Sequence, residues 1–161
     1  MLRVATAADL DALLALARRP EVADSVSTDA PDGIVAAHDD DEGELLVIEH
    51  EGVLVGGVRW ELTNHRSRIG EIRTLMLDPA ARGRGLATAA IDELVGRLLD
   101  DRGLHRLECE VYGFNTPAQR MFERAGFLRE GVRRRAYHRG GAWQDGVRYA
   151  LLADERGAAT E

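Results

Sequence analysis

Leu10, Leu13, Leu14 and Leu16 recur at near-helical spacing between Ala8 and Arg19, which predicts an amphipathic helix that ends at Pro20. The run Arg3-Val4-Ala5-Thr6 before it reads as a short strand closing on a helix-capping threonine. From Glu21 to Gly43 the apolar rhythm is lost among Pro31, Gly33 and many Asp, Ser and Thr residues. This stretch is expected to be loop, with one short helical piece near Ile34 to His38. The rhythm returns in Leu45 to Glu49 and Val53 to Trp60, two strand-like runs around His50-Glu51-Gly52 that predict a β-hairpin. A third strand follows from Arg68 to Leu77.

Beyond this antiparallel meander the period changes. Ala87, Ala90, Ile91, Leu94, Val95 and Leu98 take the spacing of one buried stripe and predict a helix from about Gly83 to Asp101. Leu104 to Tyr112 then alternates Leu107, Cys109 and Val111 with Glu108, Glu110 and Tyr112, as a strand does. Strand, helix and strand in that order imply a right-handed crossover between parallel neighbours. Asn115 or Thr116 caps a further helix that carries Ala118, Met121, Phe122 and Ala125 inward and stops at Gly126. Phe127 to Val132 and Gly146 to Leu152 read as two last strands around the loop Gly140-Gly141, and Ala153 onward as a frayed tail. The pattern is α/β, with residues 1–152 expected to form one domain and 153–161 a C-terminal tail.

A chain of 161 residues supports one core that buries roughly two thirds of the unfolded surface. With 45% hydrophobic and 30% charged residues the composition is that of a soluble globular protein, and no apolar run approaches the ~20 residues of a membrane span. Met1-Leu2-Arg3-Val4 lacks the apolar core of a signal peptide, so the expected compartment is the cytoplasm. A formal net charge of −7 argues against nucleic acid or an anionic membrane as partner, since both need excess positive charge. The acidic run Asp39-Asp40-Asp41-Glu42-Gly43-Glu44 reads as a solvated loop. A single cysteine, Cys109, excludes an internal disulfide, and the five histidines lack ligand spacing, so no metal is expected.

The candidate chemistry begins at Asp78-Pro79-Ala80-Ala81-Arg82-Gly83-Arg84-Gly85-Leu86-Ala87-Thr88, a glycine-rich turn between an apolar strand and an amphipathic helix. Gly83 and Gly85 let a backbone approach a phosphate with N–H groups free to donate, and the helix aims its unpaired N–H groups and positive dipole end at the same place. Arg82 and Arg84 add full charges. A P-loop would need Lys-Ser/Thr where Leu86-Ala87 stands, and a dinucleotide fingerprint would need a third glycine. An ordinary strand-to-helix turn remains the structural alternative.

The spacing Arg82-x-x-Gly85-x-Ala87 resembles the coenzyme A signature of the general-control-related N-acetyltransferase (GNAT) superfamily. A second block, Asn115-Thr116-Pro117-Ala118 through Phe122 to Gly126-Phe127, resembles that superfamily's Asn-x-x-Ala-x-x-x-Tyr-x-x-x-Gly-Phe. The continuation Arg129-Glu130-Gly131-Val132-Arg133 with Asp145-Gly146-Val147 resembles the branch holding ribosomal-protein N-terminal and polyamine acetyltransferases. The resemblance implies a mixed, mostly antiparallel central sheet flanked by helices, with a parallel pair after the coenzyme-binding helix. It implies acetyl-CoA as co-substrate, direct transfer to a primary amine in a ternary complex, and a possible homodimer. Met76 and Leu77 would lend backbone groups to the pantetheine arm. Arg82, Gly83, Arg84, Gly85, Ala87 and Thr88 would hold the pyrophosphate, and Asn115 would stand beside the arm or serve only as a helix cap.

An acceptor amine must be neutral to attack. Deprotonating a lysine-type amine at pH 7 costs about 4.6 kcal/mol, and a protein N-terminus only about 1.4 kcal/mol. A base therefore matters most for polyamines and side-chain amines. Glu110, on the strand before the second block, is the first candidate, and Glu71, on the strand leading to the glycine loop, is the second. Either could instead be a surface carboxylate of an alternating strand. A backbone N–H near Leu77 could stabilise the oxyanion. Phe122 departs from the family pattern, standing where relatives carry a tyrosine thought to protonate the leaving sulfur. A thiol pKa near ~8.5 makes that loss worth only about 2 kcal/mol at pH 7. Tyr112, Tyr137 or Tyr149 could substitute. Cys109 should point into the core and form no acetyl-enzyme. The alternative from another class is a non-catalytic acyl-CoA-binding sensor or scaffold, with Phe122 marking lost catalysis.

Overall fold

The first apolar residues of the chain enter a sheet. β1 (Leu2–Val4) pairs antiparallel with β2 (Gly43–His50), placing Leu2 opposite Ile48 and Val4 opposite Leu46. The structure, a computed structural model, describes residues 1–26, 32–35 and 42–157. β2 turns into β3 (Val53–Asn64) through Glu51 and Gly52, whose φ values of 50° and 77° let a two-residue turn follow the twist of its strands. β4 (Ile69–Leu77) lies antiparallel to β3 and completes the expected meander.

Helix α1 (Leu10–Arg18) is entered through a 3-10 turn at Ala7–Asp9, where Asp9 Oδ2 accepts from Thr6 N at 2.8 Å and Thr6 Oγ1 at 3.0 Å. Pro20 does not merely stop α1. It opens a second short helix, α2 (Pro20–Ala23), at a first-turn position where its missing N–H costs nothing. Residues 32–35 are helical, so the expected piece is present at Ile34, while 36–38 fall outside the described residues. The acidic loop expected at Asp39 to Glu44 also lies outside them as far as residue 41, and β2 begins at Gly43.

The helix expected from Gly83 starts later, as α3 (Leu86–Val95), because Gly83 and Gly85 hold φ of 78° and 73°, outside the right-handed helical region. It widens into a π-helix at Gly96–Asp101, which buries the adjacent Leu98 and Leu99 together. β5 (Arg106–Tyr112) follows and lies parallel to β4, as the strand-helix-strand order implied. Next comes α4 (Thr116–Arg124), then a long hairpin of β6 (Leu128–Arg139) and β7 (Ala142–Leu152). β6 has 12 residues and β7 has 11, both longer than the expected Phe127 to Val132 and Gly146 to Leu152. β6 is the sheet's outer strand and mostly exposed, so it carries arginines where a half-buried strand would alternate apolar residues. Nor does the chain fray at Ala153, where a 3-10 turn at Ala153–Glu155 donates from Ala153 N to His105 O at 2.9 Å.

The strand order is β1-β2-β3-β4-β5-β7-β6, antiparallel everywhere except β4–β5. One face, carrying Ile72, Leu107, Cys109 and Tyr149, packs on Ile91, Leu94 and Leu98 of the α3 segment and on Phe122 of α4. The other, carrying Leu45, Val47 and Met76, packs on Leu13 and Leu16 of α1. Each fully buried leucine contributes about 1.5–3 kcal/mol of burial free energy, so both layers clamp the middle of the sheet.

Candidate active site

The parallel ladder between β4 and β5 is short. It ends with Ile72 opposite Cys109, although both strands continue. β4 stays with β3 as far as Leu77, opposite Gly56, and β5 stays with β7 as far as Tyr112, opposite Gly146. Each strand follows its antiparallel partner, and the two diverge. A cavity of about 320 Å³ opens at the split and draws its lining from both faces of the sheet. Cys109, Val111, Ala118 and Phe122 line it on the α4 face, whereas Glu71, Arg73, Glu110 and Arg148 line it on the α1 face. The α4 end is apolar and the α1 end charged, so a ligand passing through the split changes environment within a few residues.

On the α1 face Glu110 is the meeting point. The Tyr137 phenol donates to Glu110 Oε1, Arg133 Nη1 lies 2.9 Å from Tyr137 Oη, and both Arg133 and Arg148 approach Glu110 Oε2 at 3.5 Å. Arg148 also donates to Glu71 Oε1 at 3.3 Å and to Glu108 Oε2 at 3.2 Å, so one guanidinium links three carboxylates. Burial alone would lower the Arg148 pKa, but Glu71, Glu110 and Glu108 hold it above its ordinary value. Glu71 Oε2 receives Arg73 at 3.2 Å, which leaves both Glu71 oxygens ion-paired. Burial, and next the hydrogen bond to Glu110, push the Tyr137 phenol up to about 12, so it stays protonated at neutral pH. Tyr112 packs edge-on against Tyr137, ring centroids 5.3 Å apart, and supports the ring whose phenol reaches Glu110.

Gly146 makes room for this cluster. A Cβ there would lie 2.6 Å from Glu110 Oε1 and 2.8 Å from Tyr137 Cε2. The expected bases, Glu71 and Glu110, therefore both reach the cavity, and of the three tyrosines Tyr137 and Tyr112 do. Tyr149 does not. It is buried and donates to Glu123 at 2.8 Å, outside the cavity lining. Cys109 lines the cavity from the core side, and burial raises its thiol well above the ordinary value, which suppresses the thiolate a nucleophile would need. Asn115 lines the cavity while its Oδ1 caps α4, accepting from Ala118 N at 3.3 Å.

The glycine loop lies at the end of β4. Asp78 Oδ1 receives Ala80 N at 2.9 Å and shapes the turn. Gly85 is the N-cap of α3 and supplies no side chain, so among the described residues no capping side chain occupies the N–H groups of the first helical turn, where Ala87 and Thr88 stand. Cβ positions at Gly83 and Gly85 would meet open space, which means these glycines answer to their positive φ and to the room beside them, not to crowding. Arg84 is exposed, and Arg82 donates to Glu21 O at 3.0 Å, tying the loop to α2. Met76 and Leu77 continue β4 past the split, where the edge toward β5 has no ladder. Free N–H donors, positive charge and an unpaired strand edge in one line fit a pyrophosphate followed by an extended, amide-bearing arm.

Sequence reasoning did not single out Arg133 and Arg148, the two arginines that reach Glu110. Arg148 could have been suspected from its place in an alternating strand, but its partners on β4 and β5 lie 77 and 38 residues away.

The sequence model of the acetyltransferase (GNAT) family matches residues 10–127. A mycothiol acetyltransferase of Salinispora tropica is 39% identical over 93 residues, covering 56% of this chain and 30% of that protein. The chain thus spans about a third of the length of such curated relatives. Spermidine N-acetyltransferase from Vibrio cholerae, solved in complex with CoA and spermine, superposes with a TM-score of 0.84 over 96% of either chain at 22% identity. An N-acetyltransferase from Staphylococcus aureus Mu50 superposes with 0.77 over 95% of this chain and 98% of its own, at 18% identity. At these identities the structures share the fold alone. The family match covers strand, glycine loop, α3, β5 and α4 in order, and this chain belongs to the acetyltransferase (GNAT) family.

Proposed function

We propose that this protein transfers an acetyl group from acetyl-CoA directly to a primary amine, with Glu110 as the base that takes the amine proton. The observation that carries the reading is Glu110 itself, placed on the charged side of the β4–β5 split and joined there to a protonated phenol. The glycine loop and the first turn of α3, with Arg82, Gly83, Arg84, Gly85, Ala87 and Thr88, hold the pyrophosphate. The open edge of β4 at Met76 and Leu77 pairs with the pantetheine arm, and Asn115 flanks it. Tyr137 takes the part left open by Phe122, since a phenol held near 12 has a proton to give to a departing thiolate. Glu71 is held by Arg73 and Arg148 at 3.2 and 3.3 Å, one on each oxygen, where Glu110 meets its arginines at 3.5 Å through Oε2 alone. Glu71 serves as the second carboxylate that keeps Arg148 in place and is the second candidate base. Neighbours named as N-acetyltransferases support an amine acceptor, either a protein N-terminus, a polyamine or another small amine.

The single, buried cysteine suits the cytoplasm, and β6 leaves a backbone edge on which a homodimer could form. Among the described residues no helix is long and apolar enough to cross a membrane. The test is thiol release from acetyl-CoA with spermidine, small monoamines and peptides of varied N-termini, running Glu110→Gln beside the parent. Release with one acceptor class that falls at least tenfold in the variant is the expected result. No release with any acceptor, with acetyl-CoA binding intact by calorimetry, would replace this reading with a protein acceptor outside the panel or with the acyl-CoA sensor.

A further inference from the structure

Thr74 stands two residues past the last β4–β5 pair, at a bulge where Thr74 and Leu75 together face the single residue Val58 of β3. Its φ is 49°. In this left-handed region an L-residue's Cβ crowds the following carbonyl, and a β-branched side chain is worse placed than most. Glycine or asparagine would hold the same backbone with less strain. Thr74 is also 6% exposed, and its Oγ1 has no hydrogen-bond partner among the described residues. Strain and a hydroxyl unpaired among the described residues thus fall on one residue. Valine has nearly the same shape, so packing explains the branched side chain but not the hydroxyl.

What Thr74 does have is the cavity. It lines the split, with Glu71, Arg73 and Glu110 on one side and Ile72, Cys109 and Phe122 on the other. A group passing from the glycine loop toward Glu110 crosses at this point. We infer that Thr74 is a further catalytic residue, its hydroxyl donating a hydrogen bond to the carbonyl oxygen of the acyl thioester. The inference rests on the acetyl-transfer reading. As the amine attacks, that oxygen takes up negative charge. A fixed, neutral donor in a site shielded from water is worth most when the charge develops. Strained backbone collects at such positions because the surrounding sheet over-determines it.

The experiment compares Thr74→Val and Thr74→Ser with the parent. Thr74→Val is expected to lower kcat for thiol release about tenfold to a hundredfold. Its melting temperature should equal or exceed the parent's, because a buried unpaired hydroxyl has been replaced by a methyl group. Thr74→Ser, which keeps the hydroxyl, should recover most of the loss. A Thr74→Val enzyme with the parent's kcat overturns the proposal. A second readout needs no acceptor. The Kd of acetyl-CoA is compared with that of S-ethyl-CoA, which lacks the carbonyl, by calorimetry on parent and variant. A preference for acetyl-CoA that disappears in Thr74→Val supports the contact, and an unchanged ratio overturns it. Absence of thiol release in the parent would sink the acetyl-transfer reading, and the calorimetric ratio would still decide the contact.

Discussion

The Tyr137 phenol donates to Glu110 Oε1 across Gly146 of β7, joining a carboxylate and a tyrosine 27 residues apart in the chain. Each constrains the other. The carboxylate raises the phenol further above the value that burial sets, and the phenol fills one acceptor site of the carboxylate.

Replacing Tyr137 by phenylalanine should lower kcat at least tenfold and leave the KM for acetyl-CoA within about twofold, as expected for a group that acts on the leaving sulfur and not on coenzyme binding. The same bond has a signature in stability. A phenol raised from its ordinary value of ~10 contributes stability that is complete below pH ~10 and lost as pH rises through about 12. Urea melts at pH 9 and pH 11.5 should therefore show a steeper loss in the parent than in Tyr137→Phe. Equal losses would mean that the bond contributes nothing in solution.

Gly146→Ala drives a methyl group into the site. Its Cβ would stand 2.6 Å from Glu110 Oε1 and 2.8 Å from Tyr137 Cε2, so both side chains must shift. Thiol release should fall tenfold or more while acetyl-CoA binding by calorimetry stays near the parent's. Retained activity would show that Glu110 works from a position other than the one described.

Gly85→Ala tests the proposed coenzyme role of the glycine loop by itself. Holding alanine at a φ of 73° costs about 1–2 kcal/mol, and relaxing it rotates the N–H groups that open α3. The expected outcome is a roughly tenfold higher Kd for acetyl-CoA together with a lower melting temperature. An unchanged Kd would remove this loop from the coenzyme site.

Far from the site, Asp9 receives both terminal nitrogens of Arg3, at 2.8 and 2.9 Å, and the backbone N–H of Thr6. The Arg3 hydrogen bonds, and next that of Thr6, hold its carboxyl well below the usual carboxylate range. A depressed carboxylate contributes stability above its unfolded value of ~3.9 and loses it as pH falls through the folded value. Asp9→Asn should be less stable than the parent at pH 7, with the gap narrowing steadily below pH ~4. A gap that is constant with pH would trace the effect to helix capping alone.

Period and punctuation in the chain were enough to place the meander, the crossover helix, the parallel pair and α4, because each depends on which side of a short segment is apolar. The glycine loop was legible for the same reason, since positive φ and an uncapped helix start are local demands that glycine meets. Alternation along β5 also put Glu110 on the face opposite Cys109, where it is found. The length of β6 was not legible. An outer strand needs no apolar alternation, and its arginines look like loop. Nor could local pattern reveal that β4 and β5 part after Ile72 and Cys109, because the split arises from each strand's allegiance to its other partner. That divergence opens the cavity beside the left-handed bulge at Thr74, while the β5–β7 and β7–β6 ladders draw Glu110, Tyr137, Arg133 and Arg148 together from three strands. Periodicity assigns a residue to a face. Only long-range pairing and its irregularities decide which residues of that face meet.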